Sequence, residues 1–257
     1  MPAGASAKIS DLAIQQLHDY DRHRPGSVFE NPGIALTIRD AYALQFEVAR
    51  LREARGERIA GFKIGCVSPT MQAQLGIQEP VFGHVFETEL HRSGVTLEPA
   101  DYDGLAIEGE FAVRVDEDLN APSSGFAVIE LHNYVVRNPP LTAQELIGNN
   151  AIHAGVVMPS KERRVLRSPV ELFHEPITVL RNGRIAGTST GGALPGGPLG
   201  SVARLVKHLA QFGKALHRDQ IVLTGSPLPL YRTERGDRFE VRSEHFETIV
   251  AQVSETV

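Results

Sequence analysis

The apolar positions of this chain change their period near residue 58. In residues 9 to about 20, Ile9, Leu12, Ala13 and Leu17 recur at helical spacing, with Ser10 available as a cap. A second helix is expected to open between Thr37 and Asp40. It carries Ala41, Leu44, Val48 and Leu51 on one side and ends in the polar run 52–58. Residues 22–33, with Pro25, Gly26, Pro32 and Gly33, read as the loop between the two. Beyond residue 58 the apolar runs are short and punctuated by glycine. Residues 59–67 read as a buried strand, 68–75 as a short helix, and 80–86 as a turn then a strand. Residues 105–115 read as a long strand, 122–125 as a turn and 126–131 as the next strand. Thr142-Ala-Gln-Glu145 matches a capping box and predicts a helix through Leu146, Ile147 and Ala151. Asn182-Gly183, inside the alternating run 177–187, predicts a hairpin with a type I′ turn. A helix bearing Val202, Leu205, Val206, Leu209, Phe212 and Leu216 follows, then a buried strand from Gln220 and two strands at 237–241 and 246–253. Helices before and between many short strands, without regular strand-helix alternation, predict an α+β fold around a curled mixed β-sheet. The expected organisation is a helical N-terminal portion, 1–58, packed on a catalytic β-roll, 59–257, as one structural unit.

Composition narrows the function classes. The chain has 257 residues and a net charge of −5, and its Lys and Arg are scattered, so no basic stripe argues for nucleic acid or an anionic membrane. No apolar run is long enough to span a bilayer, and residues 1–8 lack the charged-then-apolar order of a secretory signal. A cytoplasmic setting is therefore expected. The single Cys66 excludes an internal disulfide and a zinc site of several thiolates. Cys66 itself reads as a small buried hydrophobe or, because it closely follows Lys63, as a nucleophile.

The candidate chemistry centres on Ala106-Ile-Glu-Gly-Glu-Phe-Ala-Val-Arg114. Strand alternation puts Glu108 and Glu110 on one face and Ile107, Phe111 and Val113 on the other. Two like charges side by side in a pocket are costly unless a cation neutralises them or one takes up a proton. Gly109 reads as open ground between them, suited to close approach by a ligand or backbone. The bland alternative is a solvated strand face. Glu130 adds a third carboxylate in an apolar run where an unpaired charge is expensive, its own bland alternative being an arginine partner. Three carboxylates without cysteine partners form a hard, all-oxygen set that suits Mg²⁺, Mn²⁺ or Ca²⁺ rather than zinc or copper. With roughly six positions in such a shell, about three remain for water or substrate.

At this point the sequence resembles a known family, the 2-keto-4-pentenoate hydratase and 4-oxalocrotonate decarboxylase group of the fumarylacetoacetate hydrolase superfamily. The matching pieces run in the family's order over nearly the whole chain. They are Ala41-Tyr-Ala-Leu-Gln45, Gly61-Phe-Lys-Ile-Gly65 followed by Ser68, Gln74-Leu-Gly-Ile77 with Pro80 and Gly83, Ile107-Glu-Gly-Glu-Phe-Ala112, and Val128-Ile-Glu130. The glycine-rich 187–200 and Val222-Leu-Thr-Gly-Ser226 with Gly236-Asp237 complete the set. The resemblance implies a mixed β-roll and a homo-oligomer, with complex formation with a related catabolic enzyme as a further expectation. It implies Mg²⁺ or Mn²⁺ on Glu108, Glu110 and Glu130, with Lys63 facing the substrate. It also implies that Thr224, Gly225 and Ser226 help to hold a small 2-oxo or 2-hydroxy-dienoic acid. Lys63 serves as a proton shuttle if its surroundings lower its pKa and as a fixed cation if they do not; the bland alternative is a lysine paired with an acid.

Two family blocks are altered. Where an Asp-Ser-Arg set usually follows the third glutamate, this chain has Leu131-His-Asn-Tyr134, and an Asp-Asn-Ala-Ser string appears as Asn149-Asn-Ala-Ile152, followed by His153. His132 and His153 are candidates for the missing proton-transfer groups, the alternative being surface or hydrogen-bonded structural histidines. Arg137 replaces the absent arginine if its loop bends back. The segment 187–200 lacks a Gly-Lys-Ser/Thr ending and a dinucleotide-binding frame, so it reads as a loop capping the next helix and, by its place in the family, bordering the active site. The expected function is metal-dependent hydration of a 2-hydroxy-2,4-dienoate in aromatic catabolism, with Lys63 and His153 as catalytic groups. The alternatives, in order, are a 4-oxalocrotonate-type decarboxylase, an acylpyruvate C–C hydrolase using His23 or His153, and a non-catalytic partner subunit.

Overall fold

A computed structural model describes residues 3–31, 33–116, 122–160 and 170–256; Met1, Pro2 and the expected loop residue Pro32 lie outside them. Helices α1 (Ala3–Asp21) and α2 (Ile38–Ala54) pack against each other. Thr37 and Asp40 cap α2 reciprocally, and the buried face of the helix carries Ala41, Tyr42, Leu44, Val48 and Ala49. The chain continues through β1 (Ile59–Gly65), α3 (Pro69–Leu75), β2 (Val81–Phe86), β3 (Leu90–Arg92), β4 (Val95–Leu97), β5 (Leu105–Val115) and β6 (Pro122–Asn133). Next come α4 (Ala143–Gly148), β7 (His153–Met158), α5 (Val170–His174), β8 (Pro176–Arg181), β9 (Arg184–Thr190) and α6 (Gly197–Ala210). The described chain ends with β10 (Ile221–Leu223), β11 (Tyr231–Arg232), β12 (Arg238–Ser243) and β13 (Ile249–Val253).

These strands form two mixed sheets, as expected for an α+β fold. The first runs β2-β1-β10-β5-β6-β7-β3 with β11 also on β5, and the second runs β4-β13-β12-β8-β9. Pairs β1–β10, β3–β7 and β4–β13 are parallel; the other ladders are antiparallel. Strand β2, at one end of the first sheet, also lies against β7 near the other end, so the sheet curls into a roll. The period of two along β5 and β6 separates its two faces. Ile107, Phe111, Val113, Ile129 and Leu131 face the second sheet and pack in one core with Val179, Phe239 and Val241. Ala112, Phe126, Val128, Val156 and Leu223 form a second cluster on the opposite face. Each such Val, Leu, Ile or Phe side chain, fully buried, contributes about 1.5–3 kcal/mol.

The structure corrects several local expectations. Gly109 is not open ground for a ligand. It faces away from the two carboxylates, and a Cβ there would come within 2.6 Å of Val179, so glycine is required by the packing of the second sheet. Residues 122–125 are strand rather than turn, because β6 keeps its ladder with β5 back to Pro122. The capping box at Thr142 is half formed. Its hydroxyl accepts from the Glu145 amide, but the Glu145 carboxylate accepts from the backbone of Arg137 instead. Helix α4 ends at Gly148, where the chain leaves helical geometry and Asn150, Ala151 and Ile152 follow at positive φ. Helix α6 stops at Ala210, before Phe212 and Leu216. The hairpin is as expected, with Asn182 and Gly183 both at positive φ.

Candidate metal and active site

Register builds the site. Glu108 on β5 lies directly opposite Glu130 on β6, and Ala106 lies opposite His132. The alternation that places Glu110 beside Glu108 therefore also places His132 beside Glu130, all on one face of the sheet. Lys63 arrives from β1 through its parallel pairing with β10, and His153 arrives from β7, paired with His132.

These side chains meet. Lys63 Nζ is 3.2 Å from Glu130 Oε1, and His153 Nδ1 is 2.7 Å from the same oxygen. The other Glu130 oxygen, Oε2, is 3.6 Å from His132 Nε2, which is also 3.3 Å from Glu108 Oε2. Glu110, Glu130, Lys63, His132 and His153 are all buried, whereas the Glu108 side chain is 23% exposed and marks the open side of the cluster. Burial and the negative charges of Glu130 and Glu108 push the Glu110 carboxyl well above the ordinary range. Burial also disfavours charge on Glu130, but Lys63, with His132 and His153, more than reverses this and holds its carboxyl well below that range. Lys63 shows the same contest: burial lowers its pKa, and the Glu130, Glu108 and Glu110 charges raise it further. Burial pushes the Cys66 thiol up to about 11, against the pull of Lys63, which argues against a nucleophile.

The donor set fits a divalent cation. Neither oxygen of the buried Glu110 has a hydrogen-bond partner, and both ring nitrogens of His132 lack one. Such orphaned groups are costly unless a cation or proton satisfies them. Among the described residues, Glu108, Glu130 and His132 offer ligand atoms within 4.8 Å of one another.

The remaining sequence candidates take different places. Thr224 and Ser226 follow β10 along the edge of β5, where their hydroxyls donate to the carbonyls of Phe111 and Gly109. His23 is exposed and lines a cavity of about 490 Å³ that reaches His153 from the side of Tyr20, Arg52 and Glu89. Arg137 does not turn into the cluster; it donates to Pro25 O and pairs with Asp103. Asn149 and Asn150 are also structural. Asn149 accepts from Gln16, and Asn150 exchanges two hydrogen bonds with the backbone of His84. The glycine-rich segment packs on Leu172 and Phe173 and leads into α6. The reading of residue types missed Glu89, whose Oε2 lies 3.7 Å from His153 Nε2, because nothing local marks it.

No family model matches the chain. A 2-hydroxyhexa-2,4-dienoate hydratase from Comamonas testosteroni is 30% identical over 233 residues, 86% of this chain and 88% of the relative. The chain belongs to the 2-keto-4-pentenoate hydratase and 4-oxalocrotonate decarboxylase family. A second member, a 2-keto-4-pentenoate hydratase from Paraburkholderia phymatum, is 30% identical over 226 residues, 84% of this chain and 86% of its own. The family fold is evident against 4-oxalocrotonate decarboxylase from Pseudomonas putida G7, solved with magnesium and adipate. The TM-score is 0.86 at 22% identity, covering 96% of this chain and 98% of that one. The two chains share the mixed β-roll. No helix of the described residues is long and apolar enough to cross a membrane.

Proposed function

We propose that the protein is a divalent-cation-dependent hydratase, a carbon-oxygen lyase that adds water to a 2-hydroxy-2,4-dienoate in aromatic catabolism. The observation that carries this reading is the cluster of buried Glu110 and Glu130 with half-buried Glu108 around Lys63, in a chain 30% identical to two dienoate or pentenoate hydratases. Glu108, Glu110 and Glu130 would hold Mg²⁺ or Mn²⁺, the ions an oxygen-rich set favours. Bound there, the cation supplies Lewis acidity toward the substrate's 2-oxo group and carboxylate.

The chain's own residues do the rest. Glu108, on the open side, marks where substrate enters. Lys63, whose acidic neighbours raise its pKa, offers a fixed positive charge to an anionic substrate. In ketonisation the 2-hydroxyl loses its proton as the C2=O bond forms, the remaining double bond shifts to C3–C4, and one proton is added at C5, at the far end of the diene. Water then adds across the enone, its hydroxyl to C4 and a proton to C3. His153 fixes the Glu130 carboxylate and stands ready to hold a proton during this exchange. Thr224, Gly225 and Ser226 shape the wall beside β5 against which the acid lies. A homo-oligomer and a cytoplasmic setting belong to the same reading, the latter supported by the single cysteine. A second reading, hydrolysis of an acylpyruvate C–C bond, draws on the His153–Glu130 pair at 2.7 Å, a dyad able to activate water.

The test is ultraviolet-monitored turnover of 2-hydroxypenta-2,4-dienoate, of 4-oxalocrotonate and of an acylpyruvate, with Mg²⁺, with Mn²⁺ and with chelator. Cation-dependent loss of dienoate absorbance with a 4-hydroxy-2-oxo acid as product is expected. CO₂ release from 4-oxalocrotonate or pyruvate release from the acylpyruvate, without dienoate turnover, replaces the hydratase assignment.

A further inference from the structure

We propose that His132 is itself a cation ligand, so that this chain binds its metal through carboxylates and one imidazole rather than through carboxylates alone. The inference rests on the reading that a divalent cation occupies the cluster, and it deepens that reading.

Four observations converge on it. The β5–β6 register places His132 on the same face as Glu108 and Glu130. Its side chain is 1% exposed and neither ring nitrogen has a hydrogen-bond partner. Its Nε2 stands 3.3 Å from Glu108 Oε2 and 3.6 Å from Glu130 Oε2. Donors on adjacent corners of an octahedral shell with bonds of about 2.1 Å lie about 3 Å apart, so a modest adjustment seats all three atoms on one ion. Finally, the two oxygens of Glu130 are divided. Oε1 is taken by Lys63 and His153, which leaves Oε2 on the side of His132 and Glu108.

An imidazole ligand changes which metal is preferred. Nitrogen donors favour later first-row ions, whereas Mg²⁺ and Ca²⁺ favour all-oxygen sites. The chain therefore selects Mn²⁺, Fe²⁺ or Co²⁺ over Mg²⁺ more strongly than an all-carboxylate site does. His153 does not share this role through Nδ1, which is already engaged with Glu130.

The experiment uses the full chain loaded with Mn²⁺ alone and reads pulsed electron paramagnetic resonance for nitrogen coupled to the ion. Wild type and His153→Gln are expected to show imidazole ¹⁴N modulation, and His132→Gln to lose it while still binding Mn²⁺. Calorimetric titration of His132→Asp, which makes the set all-oxygen, is expected to narrow the Mn²⁺ over Mg²⁺ preference by about tenfold. Mn²⁺ bound without nitrogen modulation overturns the His132 assignment and leaves the cation site standing. Modulation lost in His153→Gln and kept in His132→Gln also overturns it. No Mn²⁺ binding at all overturns both readings. If His132→Gln does not fold, the wild-type spectrum with ¹⁵N-histidine, together with the His153→Gln spectrum and the His132→Asp titration, decides the question.

Discussion

Two charged clusters in this molecule are both largely buried, and they are built on opposite rules. Around Arg52 every acid has a cation: Arg52 pairs with Glu57 and Glu89 at 2.6 Å each, and Arg55 joins Glu57 to Asp21. The Arg52 guanidinium also stacks 3.6 Å over the Phe86 ring. Around Glu130, three carboxylates meet one lysine, and Glu110 has no hydrogen-bond donor. The first arrangement is a self-sufficient joint between α2, β2 and the segment leading to β3. The second is satisfied only by something added, a proton or a cation. Burial is therefore a poor guide to function here, and the balance of partners within the burial is a good one. Glu89 connects the two clusters, with Oε1 on Arg52 and Oε2 facing His153.

The largest expected effect breaks the unbalanced cluster. Lys63→Met should lower turnover by about 10²–10⁴-fold while Mn²⁺ affinity is kept or increased, because a competing positive charge is gone. Full activity in that variant would remove Lys63 from the chemistry. Next, Arg52→Ala should destabilise the protein by about 3–5 kcal/mol in urea unfolding, since Glu57 and Glu89 are left buried without their cation. A loss under about 1 kcal/mol would place that network among surface pairs of little worth.

The third change has the opposite sign. Glu110→Gln, studied without metal, should stabilise the protein by about 1 kcal/mol at alkaline pH and by less as pH falls, because the amide donates to Glu130 at any pH, whereas the Glu110 carboxyl, pushed well above the ordinary range, donates only while it keeps its proton. A lower melting temperature than wild type would show that Glu110 has a donor after all. The smallest effect is a pH dependence. Burial alone would raise the Glu57 carboxyl, but its bonds to Arg52 hold it at about 2 against an ordinary 4.5. A depressed carboxylate stabilises the folded state fully above the unfolded value, and that contribution is lost as pH falls from about 4.5 toward 2. The difference in unfolding free energy between wild type and Glu57→Gln should thus be flat from pH 7 to 5 and shrink below. A difference that does not change with pH would contradict the pairing.

Some of this was legible residue by residue. Thr37 and Asp40 cap α2 because a capping box is a local device, and Asn182-Gly183 turns because both residues tolerate positive φ. Glu108 and Glu110 share a face because alternation is a property of any strand. Gly109 was misread for an equally physical reason: the glycine answers to Val179 and Val241, which are distant in sequence and arrive only with the second sheet. The half-formed box at Thr142 failed in the same way, when Arg137 claimed the Glu145 carboxylate. His132 stood in the sequence at the spacing that pairs Glu108 with Glu110, two residues after Glu130, and the signal became readable as a ligand position only with the β5–β6 register.

By itself the sequence determined the helices at the N-terminus, the period of two along β5 and β6, the three glutamates and the family, all of which are written in local spacing and ordered motifs. Only the tertiary structure decided that Lys63, Glu130 and His153 converge on one oxygen, that His132 joins the carboxylates and that Arg137 leaves them. The reason is that convergence depends on which strands are neighbours and in what register. A slip of β6 by one residue against β5 would turn Glu130 and His132 together to the other face.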